Sequence, residues 1–356
     1  MRYGGNCQQM RTSGEYLDSH PKREKQPKPI GRAVAHKESW RPQMTIDPGA
    51  QAVLDLIKES GRPPFHELTT EEAREAFAAS RAALQPDPIE LAEVRDLSCP
   101  GPAGQIPLRL YRGSKLEDGA AQPVLVYYHG GGWVLGNLDS HDVVCREVAS
   151  RTDMTVISVD YRLGPEHLFP AAVDDCIAAT QWISSNAKDL GIDPNRLAVG
   201  GDSAGGNLAA VVCLDARDNN GPAIAAQILN YPVTDMSLTQ ASHEKCADIP
   251  PIPPKTMDWF FDRYCRDNSD KKDWRAAPLL AESHANLPPA LVIVGGYDPL
   301  HDEGVDYADK MKAAGSKAEV FDMPGQIHGF LTMNKIITEA AQAHAAIAKY
   351  LKQNVI

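Results

Sequence analysis

Apolar positions along the chain fall into two alternating kinds. Short unbroken runs at residues 124–128, 155–159, 197–199, 225–229, 290–294 and 318–321 predict strands covered on both faces. Between them, helical spacing predicts helices over residues 143–149, 171–184, 207–215 and 302–314, and a long amphipathic helix over 336–351 closes the chain. Strands alternating with helices in this way predict a mostly parallel central sheet with helices on both faces. One earlier segment differs: Ile106, Leu108 and Leu110 alternate with Pro107, Arg109 and Tyr111. That suits a half-exposed antiparallel strand near the sheet edge, its pairing limited by Pro107.

Two stretches stand outside this alternation. Ahead of the strands, Asp47-Pro48 reads as a capped helix start with Val53, Leu56 and Ile57 on one face, and Thr69 with Glu72 reads as a capping box opening a second helix toward Leu84. Short amphipathic helices cannot bury themselves, so both must pack over something. Residues 234–275 combine Pro250, Pro251, Pro253 and Pro254 with the aromatic helical run Trp259, Phe260, Phe261 and Tyr264. This reads as an insertion that covers the sheet's site from above and meets the two early helices. The expected cap is therefore residues 45–85 together with 234–275.

Composition narrows the class. The 356 residues, 43% hydrophobic, can bury a large core, and a net charge of −11 excludes an extended nucleic-acid surface. Residues 1–43 depart from the rest, with nine basic against four acidic side chains, four prolines and no periodicity, so they carry +5 and the remainder −16. They read as a poorly ordered basic extension ahead of a functional start at Met44. Seven scattered cysteines, none in a CxxC pair, point to small buried side chains in a reducing compartment, with no disulfide, metal or cofactor called for. No run approaches the ~20 apolar residues of a membrane span, and no secretory signal core is present, so the expected location is the cytoplasm.

Chemistry concentrates where predicted strands end. Gly201-Asp202-Ser203-Ala204-Gly205 follows one strand and opens a helix, the context in which a GxSxG serine is pushed out of a strained turn at the carboxyl edge of a sheet. His129-Gly130-Gly131-Gly132-Trp133 ends another strand and offers bare backbone N–H groups. Asp298 and His328 each lie just past a further strand. The order Ser203, Asp298, His328 supplies a nucleophile, a carboxylate to orient a base, and the base. Rival acids are Asp302 and Glu303, expected to begin a helix, and Asp202, whose adjacency to Ser203 should direct it away. Arg162 and Glu166 are expected to form a structural ion pair that pins their loop.

HGGGW, YRLGPEH, GDSAGGN, YDPLHDEG and HGF, in this order from about Thr45 to the C-terminus, resemble the hormone-sensitive lipase family of α/β-hydrolase esterases, the bacterial family IV carboxylesterases. The resemblance implies the α/β-hydrolase fold with a helical cap. It implies Ser203 as nucleophile, Asp298 and His328 as partners, the N–H groups of Gly131, Gly132 and Ala204 as oxyanion hole, and His129 as a support of the glycine loop. Gly164 stands where the family has alanine, and the arm before Met44 has no family counterpart. The activity implied is hydrolysis of short- to medium-chain carboxylic esters. Lactonase, deacetylase and amidase chemistry use the same machinery, and a non-catalytic small-molecule receptor of this fold is the alternative from another class. The expected partner is a small ester, with a homodimer compatible with the pattern.

Overall fold

The computed structural model describes residues 45–117 and 119–356. The expectations for residues 1–43 and Met44 lie outside the described residues. Two helices come first, α1 (Pro48–Glu59) and α2 (Thr70–Leu84), followed by strands β1 (Glu93–Gly101), β2 (Gly104–Arg112) and β3 (Gln122–Tyr128). Helix α3 (Asp142–Arg151), strand β4 (Thr155–Val159), helices α4 (Ala171–Ser185) and α5 (Ala187–Leu190), strand β5 (Ile192–Asp202), helix α6 (Ala204–Asp218) and strand β6 (Ala226–Asn230) continue the alternation. After α7 (Ala241–Lys245) and α8 (Pro254–Tyr264) come β7 (Ala290–Tyr297), α9 (His301–Ala313), β8 (Ala318–Ile327) and α10 (Ala340–Asn354).

The strands form one sheet in the order β1-β2-β4-β3-β5-β6-β7-β8, parallel from β4 to β8 and antiparallel where β2 meets β1 and β4. The run of apolar residues in β3 follows from its central place. Val124, Val126 and Tyr128 face a core shared with α4, α6 and α9, whereas Leu125 and Tyr127 face a second core shared with α3 and α10. Each such side chain gains about 1.5–3 kcal/mol by leaving water, on whichever face it lies. Both faces must therefore be apolar, and the period-two alternation vanishes.

Several expected elements change at their ends. Strand β1 was not anticipated, because its EVRDLSCPG sequence is polar and largely exposed; it is recruited by full antiparallel register against β2. Pairing of β2 with β4 begins at Leu108, immediately after Pro107, as a missing N–H requires. The capping box of α2 is present in both halves. At α1 the expected cap is corrected: Asp47 makes no side-chain cap and instead accepts from Gln326 Nε2 at 2.8 Å, tying the helix start to β8. The closing helix begins at Ala340 rather than Ile336.

The Arg162–Glu166 pair is also corrected. Arg162 grips Asp175 of α4 with two bonds of 2.8 Å, and Glu166 pairs with Arg74 of α2 at 2.7 and 2.8 Å. A spacing of four brings side chains together only on a helix, and this segment is a loop, so each residue is claimed by a neighbouring helix. Among the described residues all six cysteines are free and buried, and no helix is long and apolar enough to cross a membrane.

Candidate active site

Ser203 occupies the joint between β5 and α6 at φ 55° and ψ −119°, a left-handed region that costs a non-glycine residue free energy. Gly205 makes the joint possible: a Cβ there would strike the Tyr128 carbonyl of β3. The Ser203 backbone N–H is taken by the Asn230 carbonyl at 2.8 Å, which locks the turn against β6. The side chain is left to project from the carboxyl edge, over the open first turn of α6, whose N–H groups, Ala204's included, lack the carbonyls of a preceding turn.

Two distant segments converge on that hydroxyl. Ser203 Oγ lies 3.0 Å from His328 Nε2, and His328 Nδ1 lies 2.7 Å from Asp298 Oδ2. Asp298 is fully buried and its other oxygen accepts from the Leu300 N–H at 2.8 Å, so the carboxylate has a fixed orientation. It can accept only from a protonated Nδ1, which leaves Nε2 free to accept from the serine. Edge-on packing of Tyr231 against the His328 ring, centroids 4.8 Å apart, holds the imidazole in that plane. The arrangement can draw a proton from a serine as its oxygen attacks a carbonyl, with no large movement.

The glycine loop supplies the facing wall. Gly131 and Gly132 have φ of 123° and 60°, and a Cβ on Gly132 would run into the Phe260 ring of α8. Trp133 stacks on Tyr264 of the same helix, centroids 4.3 Å apart and planes within 5°. The loop is thus held from α8 as well as from the sheet. His129 makes no bond to Ser203: its Nδ1 donates to the Gly130 carbonyl at 2.9 Å and its ring stacks on Tyr161. Of the rival acids, Asp302 and Glu303 do sit in the first turn of α9, but Glu303 is buried and turned to His243 and the Thr234 N–H.

Asp202 points away from the Ser203–His328 pair, as adjacency predicts, into a network that sequence reading did not foresee. Its Oδ1 accepts from Tyr127 at 2.7 Å and from the Gly130 N–H at 3.1 Å, and its Oδ2 lies 3.2 Å from His141 Nε2. Burial pushes the Asp202 carboxyl up, but His141 and Tyr127 outweigh it and hold the group below its usual range. Burial pushes His141 down, and the neighbouring carboxylate only partly offsets this. A fixed anion therefore braces the first amide of the glycine loop. In the sequence His141 is one of several polar residues in and before a helix of mixed character, DVVCREVASR, and no motif marks it.

Above the serine lies a cavity of about 1210 Å³ whose wall includes Gly131, Gly132, Ser203 and His328 together with residues of α1, α2, the 247–253 loop and α8. Phe65 packs between Phe77 of α2 and Phe260 of α8, with centroids 6.4 Å from each, and His66 Nδ1 meets Thr256 Oγ1 at 2.9 Å.

Residues 125–332 match a family described as alpha/beta hydrolase fold. A carboxylic ester hydrolase of Mycobacterium tuberculosis, LipN, is 44% identical over 295 residues, covering 81% of this chain and 78% of its own length. The chain belongs to the hormone-sensitive lipase family of α/β hydrolases. An ethyl acetate hydrolase of Pseudomonas putida is 37% identical over 319 residues, 88% of this chain and all of that one. Among solved structures, an α/β hydrolase from the metagenome of Lake Arreo superposes with a TM-score of 0.83 at 42% identity, covering 87% of this chain and 98% of its own. The hyperthermophilic esterase of Pyrobaculum calidifontis superposes at 0.80 with 37% identity, covering 87% and 99%. Within this family the eight-stranded sheet is the hydrolase core, and the likeness favours ester hydrolysis over the lactonase, deacetylase, amidase and receptor alternatives.

Proposed function

We propose that this chain is a serine carboxylesterase that hydrolyses short- to medium-chain carboxylic esters through an acyl-enzyme. The continuous line Asp298–His328–Ser203, with contacts of 2.7 and 3.0 Å, is the observation that carries the reading. Ser203 Oγ attacks the ester carbonyl carbon while His328 Nε2 takes the hydroxyl proton. The carbonyl π electrons move to oxygen, and the resulting oxyanion is met by the N–H groups of Gly131, Gly132 and Ala204. Collapse re-forms the carbonyl and expels the alcohol, which takes the proton back from His328. Water then repeats the sequence at the acyl carbon, with His328 again accepting and returning one proton, and Ser203 leaves as the free hydroxyl. Asp298 stays ionised throughout and stabilises the imidazolium.

Segments 45–85 and 234–275 serve as the cap. Support comes from the cavity wall they contribute and from the Phe65, Phe77 and Phe260 contacts between them. The wall is apolar over most of its area, which supports a substrate with an apolar acyl chain. Turnover of p-nitrophenyl acetate and butyrate by the wild type and by Ser203→Ala tests the reading. The expected result is a loss of about 10⁶ in kcat for the variant. Ester hydrolysis by Ser203→Ala near the wild-type rate would overturn it.

A further inference from the structure

Among the described residues two arginines are buried, and they are treated very differently. Arg112 donates to Glu93, to the Leu190 carbonyl and to Thr155 Oγ1, so its charge is met and its fork is full. Arg81, 8% exposed, has no carboxylate within 4.0 Å among the described residues. Its Nη1 donates to Thr332 Oγ1, its Nε makes a long 3.4 Å contact with the adjacent Ser80 hydroxyl, and its Nη2 meets no acceptor among the described residues. The acid whose charge it feels is Asp202, but both oxygens of that carboxylate are already engaged by Tyr127, Gly130 and His141.

Placement gives the unpaired cation a direction. Arg81 lies on the inward stripe of α2 with Ala73, Phe77 and Leu84, and it forms part of the same cavity wall as Ser203, Gly132 and His328. Its guanidinium rests on the Phe77 ring, 4.9 Å from the centroid, and Thr332 passes the contact on to the Gly329 carbonyl at 2.9 Å, next to His328. The group is therefore held in register with the reacting histidine. Burial pushes its pKa down to about 10, which still leaves it charged near neutral pH. A buried charge without a partner is costly, and a planar guanidinium with an open N–H is suited to a carboxylate.

We infer that Arg81 is a specificity-determining residue that binds a carboxylate carried by the ester itself, on its acyl or its alcohol side. Preferred substrates are thus half-esters of dicarboxylic acids or acyl esters of hydroxy acids. This inference rests on the esterase reading above. No bond is made or broken at Arg81; it fixes the charged end of the substrate while Ser203 reacts with the carbonyl.

The test compares kcat/KM for matched pairs at constant ionic strength. Monoethyl succinate against diethyl succinate probes the acyl side, and acetoxyacetate against methyl acetoxyacetate probes the alcohol side. The charged-to-neutral ratio should fall by about 10–100-fold from wild type to Arg81→Met in one of the two arms, the range expected of a charge-assisted hydrogen bond. Arg81→Lys, which keeps the cation, should retain part of the preference. A purely structural arginine would lower both members of each pair alike, so ratios unchanged within twofold in both arms overturn the inference. Should Arg81→Met fail to fold, the wild type alone decides: succinate should inhibit p-nitrophenyl acetate hydrolysis competitively where succinamide does not, and equal or absent inhibition overturns the proposal. Hydrolysis of aryl acetates with unchanged ratios counts against Arg81 only, whereas no hydrolysis of any ester by the wild type removes the esterase reading with it.

Discussion

Two buried aspartate–histidine pairs flank Ser203, and their chemistry is alike while their surroundings are not. In the first, Asp298 holds His328 Nδ1 at 2.7 Å and the far nitrogen faces the serine hydroxyl in the cavity wall. In the second, Asp202 lies 3.2 Å from His141 Nε2, and the far nitrogen is stopped by Ser140 Oγ at 2.9 Å. In the first ring the far nitrogen meets the serine hydroxyl, whereas in the second both nitrogens are engaged within the scaffold. The second pair spends its carboxylate on Tyr127 and on the Gly130 amide and so sets the shape of the loop opposite the serine. A buried acid beside a histidine is therefore not in itself a catalytic signature. What the remaining ring nitrogen and the remaining carboxylate oxygen touch decides between proton transfer and scaffolding.

The widest separation between the pairs should come from the histidines. His328→Ala should lower kcat by about 10⁶ in steady-state ester hydrolysis, because the serine loses its base. His141→Ala should act through stability and loop position instead, and a comparable loss of kcat in a folded His141→Ala protein would erase the distinction drawn here. Next come the aspartates: Asp298→Asn should cost roughly 10⁴ in kcat by favouring the wrong tautomer. Asp202→Asn keeps an oxygen for Tyr127 and Gly130, so it should stay within about tenfold in kcat while losing roughly 1–3 kcal/mol of stability, seen as a Tm several degrees lower.

Gly132→Ala tests what the scaffold protects. Its Cβ would displace Phe260 or the loop, and a donor moved out of line should cost about 10²–10³ in kcat. The smallest effect concerns a third buried pair, Glu303 with His243 at 3.2 Å. Burial raises the Glu303 pKa to about 7, above the 4.5 of an ordinary glutamate. The folded state then holds a proton that the unfolded chain has released between those values, so this group's contribution is present below pH 4.5 and is lost as pH rises through 7. Glu303→Gln should flatten that part of the Tm profile from pH 5 to 7, and parallel wild-type and variant curves would show that the proton is not held.

The chain's own pattern determined the strands from β3 onward, the helices between them, and the placing of Ser203, Asp298 and His328 just past strand ends. These follow from short-range rules: side-chain period, glycine at a crowded turn, and the tendency of parallel strands to present their carboxyl ends together. Outside that line of three, only the tertiary structure decided which polar groups meet. Arg162 pairs with Asp175 rather than Glu166, Asp47 with Gln326 rather than its own helix, and Asp202 with His141, partners 13, 279 and 61 residues apart along the chain. Strand β1 belongs to the same class, since its polar sequence acquires a conformation from the ladder offered by β2. Arg81 shows the limit most clearly: a charge within an apolar helical stripe is visible in the sequence, but that it stands without an ion-pair partner among the described residues, in the wall above Ser203, depends on packing between α2 and the Gly329–Thr332 segment. Local propensity is written in neighbours a few residues away, whereas electrostatic partnership is set by distances of a few ångströms that only the folded chain defines.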